Sequence, residues 1–195
     1  MNKIPKILHQ IWLGPSEMPQ EFIIWRNKWI ELHPDWKYML HTDNTIKDFP
    51  DYLKKYIDSC KHYSSKSNVL RLYVIFKYGG IYCDTDFEWN KNIDCFLNNE
   101  FIIAKQYGNL YCNAFFGSVQ NNEILKFQLD LLQNYINQSP PWGPTLMTTA
   151  VEKYIKNITI LPTKYVYPYM WFESYKPAKE FNEAYLVHHW RKSWG

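Results

Sequence analysis

Three features of this 195-residue chain predict an α/β layer fold. The N-terminus runs apolar segment, helical stripe, apolar segment. A second helical stripe ends in Gly79-Gly80 and passes directly into a short acidic strand. Beyond it, short apolar runs alternate with further helical stripes. The length suits one domain, 1–195, with a single good core.

Taken in order, Lys6 to Leu13 is a short, largely apolar run closed by Gly14-Pro15, which suits a buried strand. Phe22, Trp25, Trp29 and Leu32 then fall at helical spacing between Pro19 and the stop at His33-Pro34. Tyr38 and Leu40 alternate with polar neighbours, predicting a strand from Trp36 to His41. The spacing predicts a helix from Ser67 to Tyr78, with Val69, Leu72 and Phe76 on one face and Asn68 and Arg71 at i, i+3, able to meet one ligand. Phe101 to Ala104 and Cys112 to Phe116 read as strands, and Glu123 to Tyr135 as a helix carrying Leu125, Leu129 and Leu132. Pro144 suits the first turn of a helix running to Tyr154, and the Pro140–Pro144 cluster before it reads as a structured loop. Ile158 to Leu161 and Tyr185 to His188 supply late strands.

The most informative segment is Tyr78-Gly79-Gly80-Ile81-Tyr82-Cys83-Asp84-Thr85-Asp86. In an extended strand, alternate side chains share a face, so Asp84 and Asp86 would point into one space. Mg²⁺ and Mn²⁺ favour oxygen ligands and often share one or two carboxylates with phosphate oxygens. The two glycines would let the backbone turn sharply and pass close to a ligand. A surface turn with solvated acids is the commoner meaning of Asp-x-Asp alone, and the preceding Gly-Gly-Ile-Tyr argues against it.

Composition narrows the class. Hydrophobic residues make up 46% and charged residues 21%, as in a folded protein. Aromatics reach 18%, with 16 Tyr and 9 Trp, which suits stacking on sugars or bases as well as core packing. A net charge of +3, scattered along the chain, gives no support to nucleic acid binding. It leaves peripheral contact with an anionic membrane open. No apolar run approaches the ~18 residues of a membrane span, and the N-terminus lacks a signal peptide's apolar core. A cytosolic location is expected, with Cys60, Cys83, Cys95 and Cys112 as free buried thiols.

Three blocks in order, Ile4 to Gly14, Ser67 to Arg71 leading into Gly79 to Asp86, and His188 to Trp194, resemble glycosyltransferase family 32. This DXD-motif group includes yeast initiation-type mannosyltransferases and bacterial capsule or lipooligosaccharide transferases, and is related to clostridial glucosylating toxin domains. The resemblance implies a GT-A fold with a Rossmann-like mixed central sheet flanked by helices. It also implies a UDP- or GDP-linked sugar donor, Mn²⁺ or Mg²⁺, and retention at the anomeric carbon. Trp12 would be the base platform or a core residue before a turn, with Gln10 a polar neighbour. Arg71 would reach the donor sugar. Asp84 would bind donor hydroxyls or the metal through water, Tyr82 would also contact the donor, and Asp86 would bind the metal directly. Asn68 stands where the family usually has Asp, which bears on donor identity. His188 would be the third metal ligand, with His189 its competitor. Lys192, Ser193 and Trp194 would contact the diphosphate.

With both acids committed to donor and metal, and no third carboxylate evident, the expected chemistry is a same-face substitution, with Asn113 near the developing charge. The acceptor is a glycan, glycolipid or protein. A catalytically weak nucleotide-sugar-binding protein is the alternative, and a metal-dependent phosphoesterase a weaker one.

Overall fold

The computed structural model describes residues 3–134 and 143–191. The chain opens with β1 (Ile7–Ile11), α1 (Gln20–Leu32) and β2 (Lys37–His41), the β-α-β start read from sequence. Two helices follow that the sequence pattern did not mark, α2 (Asp43–Ile46) and α3 (Asp51–Ser59). α2 is barely a turn long, and α3 is a short element that buries Leu53, Tyr56 and Ile57 behind a polar outer face. Then come α4 (Tyr63–Tyr78), β3 (Gly80–Cys83), β4 (Phe87–Trp89), β5 (Phe101–Lys105) and β6 (Tyr111–Ser118). The described part ends with α5 (Glu123–Asn134), α6 (Pro144–Lys153), β7 (Thr159–Leu161), α7 (Thr163–Val166) and β8 (Leu186–His188).

α4 starts four residues before the expected Ser67, because its first turn, Tyr63-Ser64-Ser65-Lys66, carries no apolar stripe to announce it. Tyr135 and most of the Pro140–Pro144 cluster lie outside the described residues.

The main sheet has the order β2-β1-β3-β6-β5-β7. β2, β1 and β3 run parallel, β6 is antiparallel to both β3 and β5, and β7 is parallel to β5. β4 pairs with β8 in a separate two-stranded ribbon. The sheet carries a core on each face, and successive residues divide between them by the pleat. Tyr82, Phe101, Ile103 and Phe116 pack with α3, α4, α5 and α6. Ile81, Cys83, Ile102, Ala104 and Phe115 pack with Trp29, Trp36, Trp89 and Leu161 on the other side. Most of the aromatic excess is therefore core.

All four cysteines are free, but they are not uniformly buried as expected. Cys83 and Cys112 are buried, Cys60 is half-buried, and Cys95 is exposed in the single turn Asp94–Phe96, which turns Phe96 inward instead.

A buried histidine pair ties the parallel half together. His9 Nε2 lies 3.0 Å from the Gly79 carbonyl and must donate to it, so the neutral ring's Nδ1 accepts from His41 Nε2 at 2.9 Å. Burial lowers the His9 pKa to about 3 and that of His41 to about 4; for His9 the neighbouring ring adds to the shift.

Candidate active site

The Gly-Gly turn brings the chain from α4 into the sheet. Gly79 (φ +65°) ends α4, and Gly80 (φ +106°) enters β3. A Cβ on Gly80 would sit 2.6 Å from the Ile7 carbonyl, and one on Gly79 would sit 2.9 Å from the Gln120 amide and Pro5. The close approach these glycines permit is to β1 and the loop after β6, rather than to a ligand as expected.

β3 ends at Cys83, so the two acids do not share a face of an extended strand. They sit in the turn Asp84–Asp86 between β3 and β4. They converge nonetheless: one ligand atom from each of Asp84, Asp86 and His188 lies within 4.8 Å of the others. Three supports fix this arrangement. The Asp84 amide donates to Ala114 O at 2.9 Å, the His189 amide donates to Asp86 O at 3.0 Å, and Gln10 Nε2 donates to Asp84 O at 3.3 Å.

Asp84 Oδ1 accepts from the Tyr82 hydroxyl at 2.5 Å and lies 3.2 Å from Arg71 Nη2. The guanidinium is only 4% exposed and lies over the Tyr82 ring, 4.6 Å from its centre. Its other donors go to Ser67 O, Ser67 Oγ and Asn113 O. Arg71 thus joins α4, β3 and β6 beneath the acids, and Tyr82, expected at the donor, is instead fully buried in the core with its hydroxyl on Asp84. Burial raises the Asp84 pKa, the nearby Asp86 carboxylate adds to this, and Arg71 opposes it. Beside this ion pair, Asn113 Nδ2 donates to Asn68 Oδ1 at 2.9 Å, below the positive-φ Gly143 that begins α6. The i, i+3 pair from α4 and the strand asparagine are therefore gathered at one place.

Asp86 is held on both oxygens. Oδ1 lies 3.1 Å from His188 Nε2, and Oδ2 accepts from the Arg191 amide at 2.8 Å. That second bond depends on a chain reversal at Trp190, which takes the left-handed φ of +55°, an uncommon backbone for a bulky residue. Burial works to raise the Asp86 pKa, but His188 and the amide bond outweigh it, and the net shift is downward. His188 is sandwiched between Phe87, stacked at 4.4 Å, and Trp190 at 4.0 Å.

The two adjacent histidines face opposite ways, as neighbouring residues of an extended segment do. His189 points away from the two acids: its Nε2–H donates to Glu88 at 2.9 Å, and its Nδ1 faces the Tyr169 hydroxyl at 2.8 Å. The hydrogen bond from His189 and a second from the Ala178 amide hold the Glu88 pKa down. Trp25 stacks on His189 at 4.5 Å, so this cluster anchors the final segment to α1.

The family described as "Glycosyltransferase sugar-binding region containing DXD motif" matches residues 19–107. The likeness is thus to DXD glycosyltransferases of the family 32 type, over a segment that includes both acids. Inositol phosphoceramide mannosyltransferase 3 of Schizosaccharomyces pombe is 37% identical over 100 residues, 49% of this chain and 28% of that enzyme. This chain therefore spans well under half the length of that relative. The glycosyltransferase L373 of Acanthamoeba polyphaga mimivirus is 26% identical over 211 residues, covering 98% of this chain and 84% of the viral protein. The solved structure of the PaToxG glycosyltransferase superposes with a TM-score of 0.67 at 22% identity, covering 80% of this chain and 70% of that one. The fold is GT-A, with the mixed sheet flanked by helices described above.

The residues of the cluster fit a divalent cation. Two carboxylates and one imidazole are a donor set that Mn²⁺ accepts readily and Mg²⁺ less so. The 3.1 Å between Asp86 Oδ1 and His188 Nε2 is close to the ~3 Å edge of an octahedron with ~2.1 Å bonds. His188 Nε2 faces Asp86 and would be the ligand atom from the tautomer that carries its proton on Nδ1, a buried nitrogen with no hydrogen-bond partner among the described residues.

Trp12 is half-buried at the rim, its Nε1–H on Ser16 O and its ring edge-on to Phe22. Gln10 is buried, spanning the Tyr38 hydroxyl and Asp84 O, so it braces the turn from within. Lys192, Ser193 and Trp194 lie outside the described residues. Sequence reasoning missed Glu88, Tyr169 and the bracing role of Trp190. Glu88 continues the alternation of Asp84 and Asp86, which is the one signal that could have drawn notice.

Proposed function

We propose that this protein is a single-domain, metal-dependent, retaining hexosyltransferase that moves a sugar from a UDP- or GDP-linked donor to a hydroxyl of an acceptor. The convergence of Asp84, Asp86 and His188 at the end of β3 carries the reading. Asp86 and His188 would hold Mn²⁺ or Mg²⁺, with Asp84 beside them toward the donor. When bound, the cation would supply Lewis-acid stabilisation of the departing diphosphate.

The chain's own groups do the rest. Arg71 and Tyr82 fix the Asp84 carboxylate, so no reorganisation is needed when the donor enters. Trp12 would border the donor base from the rim of β1, and Lys192, Ser193 and Trp194 would close over the diphosphate. Asn113 and Asn68 lie beside the ion pair, where an amide could steady charge on the sugar. Glu88 is already engaged by His189 and the Ala178 amide, which disfavours a carboxylate nucleophile. A same-face substitution follows, in which the leaving phosphate oxygen takes the acceptor proton.

For the acceptor we favour a glycolipid head presented at a membrane face, reached from the cytosol. The support is the likeness to an enzyme named for inositol phosphoceramide. A binding-only protein is the second reading, favoured by Asn68, whose side chain is tied to Asn113. Incubation with a panel of nucleotide sugars tests both. Metal-dependent release of nucleoside diphosphate, lost in Asp86→Asn, is expected of the transferase. Tight donor binding with no cleavage, acceptor present, would favour the second reading.

A further inference from the structure

Two loops next to the candidate active site carry large apolar side chains into solvent. Tyr107 is 55% exposed and Leu110 41% in the β5–β6 turn, and Trp171 is 49% and Phe172 62% exposed between α7 and β8. The loops touch through their rings: Tyr107 lies 5.9 Å from Trp171 and 5.8 Å from Phe172. Trp171 packs at 5.7 Å against Trp190, the residue that lies 4.0 Å from His188. One continuous line of rings therefore runs from the surface to the proposed metal ligand.

The surroundings are as informative as the rings. In a chain with 21% charged residues, the stretches 106–112 and 165–172 contain none. Charges stand at their ends instead, with Lys105 and Lys164 before the two stretches and Glu173 and Lys176 after the second. Soluble surfaces rarely spend four large apolar side chains on one charge-free tip without a use for it. A sugar platform would present a flat ring face bordered by polar groups. These rings meet edge to face, at 84° for Tyr107 with Trp171, 80° for Tyr107 with Phe172 and 81° for Trp171 with Phe172. The result is a ridge rather than a shelf. Trp and Tyr at headgroup depth with Phe and Leu reaching further is the composition of an interfacial anchor.

We propose that Tyr107, Leu110, Trp171 and Phe172 form a membrane-docking ridge that seats the protein on a lipid surface with the Asp84–Asp86–His188 cluster facing the headgroups. The proposal rests on the glycosyltransferase reading only for its purpose. It accounts for how a lipid-linked acceptor would reach the site: docking would place a headgroup hydroxyl beside the cation cluster.

The test uses the full chain and vesicles of phosphatidylcholine, with and without phosphatidylserine. The variant is Leu110→Ser with Phe172→Ser; Trp171 is left in place because it touches Trp190. Vesicle affinity should fall at least about tenfold, since two large apolar groups would no longer be buried. Quenching of wild-type tryptophan by brominated lipids should accompany binding. Metal-dependent donor hydrolysis in vesicle-free buffer should be unchanged. Wild-type protein that ignores both vesicle types, or a variant that binds them equally well, would overturn the proposal. So would unchanged vesicle affinity with lost turnover on a soluble oligosaccharide, which would assign the ridge to glycan binding. If vesicle binding is lost in the variant while no donor is cleaved by either protein, docking stands and the transferase reading fails alone.

Discussion

The acid cluster and the aromatic ridge sit a few side chains apart and are built on opposite terms. At the cluster, nearly every polar atom already has a protein partner. Arg71 serves Asp84, Ser67 and Asn113; Asp86 is held by His188 and the Arg191 amide; Gln10 braces the turn from below. At the ridge, Phe172 and Leu110 stand in solvent with no charged neighbour on their own stretch. The first region is pre-organised by buried electrostatics, which is costly to assemble and costly to disturb. The second holds apolar surface in reserve for something outside the molecule. Their contrast teaches that stability and recognition are separable here, so substitutions in the two regions should differ in kind.

The largest effect should come from the buried ion pair. Arg71→Met strips Asp84 of its cation inside the protein, and loss of one partner of a buried pair destabilises by roughly 3–5 kcal/mol. Chemical denaturation checks this, and a loss below about 1 kcal/mol would mean that the pair is not structural. Acid should act next, through the histidines under the parallel strands. His9 and His41 have folded pKa values lowered to about 3 and about 4 from 6.5. The unfolded chain therefore binds more protons below pH 6.5, and stability is fully present above that pH. It falls by roughly 1.4 kcal/mol per pH unit for each histidine as pH drops toward the folded values. Urea midpoints at pH 7 and pH 5 measure it.

Gly80→Ala should cost at least about 2 kcal/mol, from a left-handed backbone and a Cβ pressed on the Ile7 carbonyl. At the ridge, Phe172→Ser should leave stability within about 0.5 kcal/mol, as for other exposed sites. A large loss there would erase the contrast between the two regions.

Much of this was legible in the chain because periodicity and punctuation carry it. The β-α-β opening, the Gly79-Gly80 stop and the α5 leucines all follow from side-chain spacing alone. The neighbourhood of Asn68 and Arg71 followed from i, i+3 spacing, whereas the roles given to Arg71, Asn113 and His188 rested on the family resemblance. What was not legible is tertiary. The turn that brings Asp84 and Asp86 together depends on amide bonds to Ala114 and Asp86 O, from segments remote in sequence. The left-handed Trp190 has no sequence signature, since nothing about a tryptophan announces positive φ. The His9–His41 pair spans two strands, and neither histidine signals it alone. The exposed aromatics were hidden among many that pack inside.

The proposed cation site of Asp84, Asp86 and His188 would serve a nucleotide-sugar donor. Its most direct test is donor cleavage by wild type, Asp86→Asn and His188→Ala, with Mn²⁺, Mg²⁺ or EDTA, each protein first shown to be folded by circular dichroism. Wild type should release nucleoside diphosphate from one donor only when metal is present. Both variants should lose on the order of 10²-fold or more, comparable to removing a main transition-state contact. Cleavage that survives EDTA, or an Asp86→Asn protein as active as wild type, would contradict it.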